Sequence, residues 1–456
     1  GDIVKNGIDK KAIEAGINYF EFRYREADFS SYPKGLMYSL DILGDWLYEQ
    51  GNPFAQVQQL EVFEKLKAAV NEGYFEELIR KYLLENPHGC VLTLVPKKGL
   101  AAKREKELEE KLEAYRSSLS EQELNAMVEK TKALEAYQEA GEDPKALECI
   151  PMLKRSDIKK EAAKIVNEEL TVDNSLFLYH DVCTNGIGYV DLMFKTDSIA
   201  PEQIPYLGLL KSVLGYVDTK DYTYGELFNE INANTGGINC GVEVFDRADS
   251  TEEFQAMFSV RGKALYTKMD FLFKMIGEIL NSSKLEDTKR LYEIVASVKS
   301  RAQVNLTGAG HSTAVLRAAA YSSPMAAFQD EMAGIGYYQF IEKLEKDFEQ
   351  RKEETVEELC KLMKKILRPE NFMISYTGER ESLETVQKLA GAVKAGLGTE
   401  PVEKSEEKLT CTKKNEGFKT SGQVQYVAQT GNFKKKGLEY TGALEIHRKS
   451  PIYSFH

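Results

Sequence analysis

The sequence is poor in histidine, a residue on which many zinc enzymes depend. Among 456 residues there are five histidines, at positions 88, 180, 311, 447 and 456, and no two of them lie three to five residues apart. This spacing excludes the HExxH and HxxEH motifs and a local Cys/His zinc cluster, because those sites need ligands on one helical turn or one short loop. A metal site assembled from distant residues stays open. His88 and His180 are interpreted as structural histidines.

Disulfide and membrane signals are also missing. The six cysteines, at positions 90, 149, 183, 240, 360 and 411, are far apart and form no CxxC pair. Such spacing favours reduced, buried thiols over a disulfide framework. There is no apolar run of about 18 residues, and no basic segment followed by an apolar one at the start, so the sequence predicts neither a transmembrane span nor a signal peptide. These features together predict a cytoplasmic protein with no membrane partner.

An excess of basic residues is absent as well. Lysine and arginine number 60 against 72 aspartates and glutamates, which gives a net charge of −12 and a pI near 5.3. Nucleic acids and anionic membranes attract clustered positive charge, so neither is expected as a partner. The 42% hydrophobic and 29% charged content is typical of folded globular chains. The length predicts several domains.

Motifs for other kinds of chemistry are weak or missing. The stretch LTGAGHST (306–313) contains Gly308 and Gly310 but lacks the third small residue of a dinucleotide fingerprint, and no Gly-Lys-Ser/Thr P-loop is present. We interpret it as a break ahead of a helix over about 312–320. No GxSxG motif occurs, so nucleophilic hydrolysis has no support. The motifs therefore identify no catalytic and no cofactor-binding residue.

The first third of the chain changes character near residue 98. Residues 1–97 predict helices followed by the β-rich stretch HGCVLTLVP, which Pro96 ends. Residues 98–142 are mostly Ala, Glu, Lys and Leu, and Ser120 with Glu123 forms a capping box between two predicted helices. Each helix has only a narrow apolar stripe: Leu108, Leu112 and Tyr115 in the first, and Leu124, Met127 and Leu134 in the second. The segment 98–150 is interpreted as a helical hairpin that links larger bodies.

Residues 151 to about 400 predict an α+β domain. The stretches NSLFLYHDV and GIGYVDLMFKT, joined by Thr184-Asn185-Gly186, are typical of a β-hairpin. Leu207–Ile238 then predicts a helix, a turn, a second helix and a Gly-Gly entry into a strand. Strands GINCGVEVF and EEFQAMFSVRG, several helices and a closing strand NFMISYTGE follow. The predicted fold class is α+β, with antiparallel strands and helices on one face.

A repeat connects these regions. FEKLKAAVNEGYFEELIRKYLLENPHGCVLTLVP (63–96) and IEKLEKDFEQRKEETVEELCKLMKKILRPENFMISYTG (341–378) share two helices, a Pro close to an Asn and a terminal strand. Residues 1–97 are therefore predicted to be the rear half of a unit whose whole form is 151–400. Two further strands, FKTSGQVQYVAQTG and GLEYTGALEI, are expected within 401–456 as the start of another copy. On this interpretation the chain is truncated at both ends.

Long segments resemble the presequence proteases, a subfamily of the metallopeptidases that include pitrilysin and insulin-degrading enzyme. The resemblance covers the chain to about residue 445, and it is carried by FEFRYREADFSSYPKGLMYSLDILGDWLYEQGNPF, YLLENPHGCVLTLVPKKGL, the helical hairpin, NGIGYVDLMFKT and YTYGELFNEINANTGGI, in that order. It implies four α+β units in two halves that enclose a chamber for unfolded peptides. This chain would hold the end of the second unit (1–97), the hinge hairpin (98–150), the complete third unit (151–400) and the start of the fourth (401–456).

The resemblance also implies zinc, which the family holds in its first unit through an inverted HxxEH helix and a downstream Glu. This chain does not contain that unit. Laying HxxEH on LGLLK of the third unit places Leu207, Leu210 and Lys211 at the ligand and base positions, and none of the three can serve there. No metal or cofactor is therefore assigned to the chain, although zinc is implied for the full-length family enzyme.

The tail HRKSPIYSFH departs from the family. The fourth unit of the family supplies an Arg and a Tyr that orient substrate, but Arg448 and Tyr453 lack their spacing and glycines, so that role is not carried over. Residues 446–456 are interpreted as a frameshift or truncation product.

Two hypotheses follow for the function. In the first, the chain is the noncatalytic carboxy-terminal portion of a zinc endopeptidase that encloses and degrades peptides, inactive alone, and its partners are unfolded peptides and an amino-terminal zinc-bearing half. In the second, it is a noncatalytic scaffold or peptide-binding subunit. A coiled-coil adaptor is disfavoured because the stripes span too few heptads. We further expect an exposed strand edge, with residues such as those in GINCGVEVF, to accept an extended peptide.

Overall fold

A computed structural model describes residues 1–48, 51–162, 164–247, 249–405, 407, 409–420 and 424–443. The chain divides into two compact units. The larger unit combines Gly1–Ile79 with Val166–His456, and the smaller unit is Arg80–Ile165. In the part of the chain that is described, no helix is both long enough and apolar enough to cross a membrane. The domain boundaries expected at 97, 150 and 400 stay predictions.

The larger unit is built on a six-stranded sheet. Its strands are β1 (Glu168–Val172), β2 (Ser175–Asp181), β3 (Ile187–Lys195), β4 (Ile238–Asp246), β5 (Phe254–Leu265) and β6 (Phe372–Gly378). Their order across the sheet is β1-β2-β6-β3-β5-β4. Neighbours run antiparallel except for β2 and β6, which are parallel.

The predicted hairpin between β2 and β3 is wrong, because β6 lies between them. The chain does reverse where expected, with positive φ angles of 56° at Asn185 and 79° at Gly186. However, β6 pairs with β2 on one side and with β3 on the other. Turn residues predict a reversal of direction, but they carry no information about a third strand that arrives from almost 200 residues further along the chain.

Helices make up the rest of both units. In the larger unit they are α1 (Asp2–Asn6), α2 (Lys10–Glu26), α3 (Lys34–Trp46), α4 (Leu60–Ala69) and α5 (Tyr74–Ile79) before the sheet. In the smaller unit they are α6 (Leu100–Ser118), α7 (Glu121–Glu139) and α8 (Pro144–Leu147). Among and after the strands they are α9 (Ile204–Val213), α10 (Tyr224–Asn234), α11 (Met269–Ser282), α12 (Thr288–Gly308), α13 (Gly310–Ala320), α14 (Pro324–Ala333), α15 (Ile335–Lys346), α16 (Phe348–Ile366) and α17 (Leu383–Ala395).

Local signals in the sequence predicted several of these helices correctly. The helix, turn, helix and Gly-Gly entry expected over Leu207–Ile238 are α9, α10 and the start of β4. Thr223 and Glu226 form a capping box that begins α10. The glycine-rich stretch 306–313 is a break at Ala309 between α12 and α13, as interpreted, rather than a phosphate-binding loop.

The two faces of the sheet differ sharply in polarity. One face is packed with fully buried apolar side chains: Phe177, Tyr179, Leu192, Phe194, Phe258, Val260, Ile374 and Tyr376. Helices α9, α11, α12 and α14 to α17 contribute to the same core, so the expected α+β arrangement with helices on one face is confirmed. The alternate residues of β3 and β5, Asp191, Lys195, Arg261 and Lys263 among them, lie on the opposite face.

The strand expected over 88–96 is wrong. Residues 90–97 are neither helix nor strand, and Val91, Leu92, Leu94 and Val95 are 77% to 96% exposed. A β-rich composition favours extended backbone, but a strand also requires a neighbour to which its N–H and C=O groups can bond. The described part of this chain supplies no such neighbour.

The smaller unit has the two helices that were predicted for it. Ser120 caps α7, and its hydroxyl and backbone N–H both bond to Glu123 in the expected capping box. The narrow apolar stripes remain open to solvent, since Leu108, Leu112 and Leu134 are each more than half exposed. This exposure agrees with helices that form no core of their own.

The two strands expected after residue 417 are also wrong where that region is described. Residues 424–441 contain one short 3₁₀ turn and no strand, and the remainder of the two stretches lies outside the described residues. The segment instead bonds to α13 through Glu416, whose carboxylate accepts from Arg317 at 2.8 and 3.0 Å and from the Tyr321 hydroxyl. The Arg317 hydrogen bond lowers the pKa of Glu416 to about 2, although burial opposes it.

We predict that Gly208 in α9 cannot be enlarged. A Cβ atom there would lie 2.5 Å from the Met332 carbonyl oxygen and 2.8 Å from the Tyr337 ring, so α14 and α15 could not approach. Gly208→Ala should lower the free energy of unfolding in urea by about 1 to 3 kcal/mol. The matched control is Gly277→Ala in α11, which meets no described atom within 4 Å and should stabilise by about 0.5 to 1 kcal/mol. A Gly208→Ala protein as stable as the unchanged chain would contradict the packing.

Candidate functional site

The three residues singled out by the sequence lie together on α9. Leu207 and Leu210 are 0% and 1% exposed and belong to the core that packs against the sheet. Pro205 occupies the first turn of α9, where its ring fits without loss of a hydrogen bond. Neither leucine carries a donor atom for a metal, so α9 does not fit a zinc ion. Its correspondence to a metal-bearing helix stays a prediction.

Lys211 is the one charged side chain on this helix. It is partly buried, and it makes no hydrogen bond or ion pair with any other described residue. Burial lowers the pKa of its ammonium group, and the negative charge of Glu243 on β4 opposes that effect. The helix therefore presents an incompletely compensated positive charge towards β4.

A ladder of charged side chains crosses the polar face of the sheet beside β4. Arg261 on β5 contacts Asp191 on β3 at 2.8 Å and Glu243 on β4 at 3.1 Å. Burial raises the pKa of Asp191, and the hydrogen bond from Arg261 opposes that rise. Sequence reasoning missed these three residues, although the signal was present: each is a charge between apolar neighbours in a β-rich run, the mark of a strand with one polar face.

Unsatisfied polar atoms lie under the same ladder. Oδ1 of Asp191 and Oγ of Ser259 are buried without a hydrogen-bond partner. Ser259 is opposite Gly241 on β4, where a Cβ atom would lie 3.1 Å from the serine hydroxyl. Such groups cost free energy unless they are satisfied, so this part of the face is more polar than the stability of the sheet requires.

Strand β4 is the edge of the sheet on this side. It pairs with β5 along its whole length of nine residues and has no strand beyond it in the described part of the chain. Its residues from Ile238 to Val244 are half-buried or exposed, and α9 contacts it from the core side. An edge of this kind presents backbone N–H and C=O groups in the spacing of an extended chain.

The amino-terminal helices hold the entrance to β4. Gly237 has a φ of 113°, and a Cβ atom at Gly236 would collide with the Phe22 ring of α2 at 2.3 Å, so both positions need glycine. At the carboxyl end of α2, Glu26 accepts from Lys263 at 2.7 Å and from the Tyr189 hydroxyl at 3.0 Å. The acid at the end of α2 thereby anchors this helix on the polar face of the sheet.

The histidines assemble no metal centre in the part of the chain that is described. Within those residues no group of three or more His, Cys, Asp and Glu side chains has the spacing to hold a metal ion. His180 is structural, as interpreted: Nδ1 donates to the Val166 carbonyl at 2.7 Å, so Nε2 accepts from the Ser375 hydroxyl at 3.2 Å. His88 is exposed. His447, His456, Arg448 and Tyr453 lie outside the described residues.

The cysteines are less buried than expected. All six are free thiols, but Cys90, Cys149 and Cys183 are exposed. Cys240 on β4 turns its thiol into the core, and burial raises its pKa to about 12. The three exposed cysteines lie in segments that sequence periodicity does not place against any packed face, so the assumption of burial had no local support.

An α+β unit with one apolar face, one polar face and a free edge strand is thus the class of structure that these residues define. The family model described as Peptidase M16, subfamily C, associated matches residues 94–344. The chain belongs to this family.

Curated relatives match almost the whole chain. Protein HypA of Clostridium perfringens is 38% identical over 98% of this chain, which corresponds to 45% of HypA. Presequence protease 1, chloroplastic/mitochondrial, of Arabidopsis thaliana is 28% identical over 98% of this chain and 42% of its own length. The chain therefore spans less than half the length of these relatives. Among solved structures, a peptidase M16 inactive domain from Pseudomonas fluorescens matches 53% of this chain and 54% of its own, with 15% identity and a TM-score of 0.37.

We predict that Lys211 destabilises the fold. Its pKa is lowered from the ordinary 10.5, so the unfolded state binds the proton more tightly, and stability should rise with pH through the interval between the folded and unfolded values. Lys211→Met should raise the free energy of unfolding at neutral pH by about 1 kcal/mol and flatten that rise. The control is Lys220→Met, at an exposed position. Equal effects of the two substitutions in urea titrations at several pH values would show that Lys211 is not buried at a cost.

Proposed function

We propose that this chain is a noncatalytic portion of a presequence protease-like endopeptidase, in which another portion supplies the zinc. The carrying observation is that α9 presents Leu207, Leu210 and Lys211 where a metal-bearing helix would need ligands and a base. Membership in the family matched over residues 94–344 and the similarity to presequence proteases support the assignment. Because the residues of α9 do not fit zinc, no catalytic step on this chain passes through the metal.

The contribution of this portion is to hold peptides. The edge of β4 supplies backbone groups for an extended peptide, and the ladder formed by Asp191, Arg261 and Glu243 gives the adjoining face a hydrated, charged surface. Added strands gain affinity from main-chain hydrogen bonds with little demand on sequence. Unfolded peptides are thus the substrate class that the edge fits best. A cytoplasmic location remains part of the proposal, supported by the free thiols.

A second candidate function is a peptide-binding scaffold that works without any zinc-bearing half. The same edge strand favours it, since peptide binding at β4 needs no metal. The two functions differ in their genetic setting. An open reading frame that encodes an HxxEH helix immediately upstream of this chain favours the endopeptidase, and its absence favours the scaffold.

We predict that the purified chain alone does not hydrolyse peptides. With excess zinc and an internally quenched fluorogenic peptide, the rate of fluorescence increase should equal that of the buffer, because no described group can activate water on a metal. A metal chelator should therefore leave the rate unchanged. Cleavage that requires zinc and stops when the chelator is added would refute the noncatalytic assignment.

We also predict that an unfolded peptide binds at β4. Binding should slow hydrogen–deuterium exchange of the free-edge amides in Ile238–Asp246 and release heat in calorimetry. The internal control is β1, the opposite edge of the sheet, which is five residues long against nine and has no neighbouring charge ladder among the described residues. Its exchange should not change. Protection of β1 instead of β4, or no heat at high peptide concentration, is the outcome that would exclude this site.

A further inference from the structure

An exposed apolar segment in the smaller unit stands apart from the rest of the chain. Val91, Leu92, Leu94 and Val95 are 96%, 77%, 84% and 77% exposed. Four apolar side chains in five residues form a β-rich run that gains nothing from contact with water. Such a run is typical of an interaction site when a partner is available to cover it.

The internal repeat identifies what this segment should pack against. Aligning Pro87 with Pro369 places Leu92 on Ile374 and Leu94 on Tyr376. Ile374 and Tyr376 are both 0% exposed, and they belong to β6. β6 is an interior strand, parallel to β2 on one side and antiparallel to β3 on the other. The repeated sequence is thus the sequence of a strand that needs two neighbours.

The helices that precede the segment repeat this difference. In the larger unit α15 buries Ile341 and Leu344, and α16 buries Leu359 and Leu362. Their counterparts α4 and α5 contain no buried residue. A sequence that forms a core element in one copy therefore has no sheet to cover in the other.

We infer that Cys90–Val95 is a β-strand donor that inserts between two strands of an incomplete sheet in a partner polypeptide, parallel to one and antiparallel to the other. Leu92 and Leu94 face the core of that sheet, and Val91 and Val95 face its other side, as Met373 and Thr377 do in β6. The inference rests on the proposed function, because the partner is the portion of the endopeptidase that this chain lacks. HypA has more than half of its length outside the region that this chain matches, which is where such a sheet would lie.

The test is coexpression of the full chain with the portion of Clostridium perfringens HypA that precedes the matched region, followed by copurification and hydrogen–deuterium exchange. In the chain alone, amides of residues 90–95 should exchange at the rate of an unstructured peptide. In the complex they should be strongly protected. The double substitution Leu92→Asp with Leu94→Asp should weaken the complex at least about a hundredfold, because it places two charges in a core.

The matched control carries the same charges on the other face. Val91→Asp with Val95→Asp should weaken the complex by less than about tenfold, since the corresponding residues of β6 are only half-buried. The melting temperatures of both variants should equal that of the unchanged chain, because all four side chains are exposed in it.

The outcomes separate the inference from the function on which it rests. A complex in which residues 90–95 stay unprotected and the Leu92/Leu94 variant binds normally overturns the inference and leaves the proposed function standing. Failure of the unchanged chain to copurify overturns the proposed partner and the inference with it. Protection of residues 90–95 in the chain alone, at concentrations where it dimerises, would show that the strand pairs with a second copy and overturn the inference as well.

Discussion

The burial of one face of the six-stranded sheet is the constraint on which the rest of the larger unit depends. Tyr179 and Tyr376 stack 6.1 Å apart at the middle of that face, and the fully buried Phe258 lies two strands away from Tyr376. A fully buried side chain of this size contributes about 1.5 to 3 kcal/mol, so the helices that cover the face are held by many such contributions. Helix α9 is one of them. Its inward positions must be apolar for the same reason, and Leu207 and Leu210 meet that requirement.

The same constraint leaves the other face of the sheet free for polar residues. Charges at alternate positions of β3, β4 and β5 meet as Asp191, Arg261 and Glu243, and α2 is anchored beside them through Glu26 and Lys263. Among the described residues, these contacts leave the outer side of β4 without a strand. The stability of the unit and the availability of its edge are therefore consequences of one division of the sheet into an apolar and a polar face.

How far the sequence alone could predict this structure depended on the distance between interacting residues. The elements from Leu207 to Ile238 were predictable because helical periodicity, the Thr223 capping box and the two glycines are all local. The pairing of β2 with β3 was mispredicted because β6 comes from far along the chain. The stretch VLTLV was mispredicted as a strand because composition does not reveal whether a neighbour exists. Within the candidate site, Lys211 could be named from a motif, but its partial burial and its relation to Glu243 needed the packing of α9 against β4. The link between Arg317 and Glu416, 99 residues apart, had no signal in either local sequence.

A helix kept for packing differs from a helix kept for a metal in one measurable quantity. The most direct test of the account is the zinc content of the purified chain, measured by elemental analysis after expression in zinc-supplemented medium and exhaustive dialysis. The account predicts far less than one zinc ion per chain, because the core positions of α9 are apolar and no described cluster replaces them. One tightly held zinc ion per chain would contradict it.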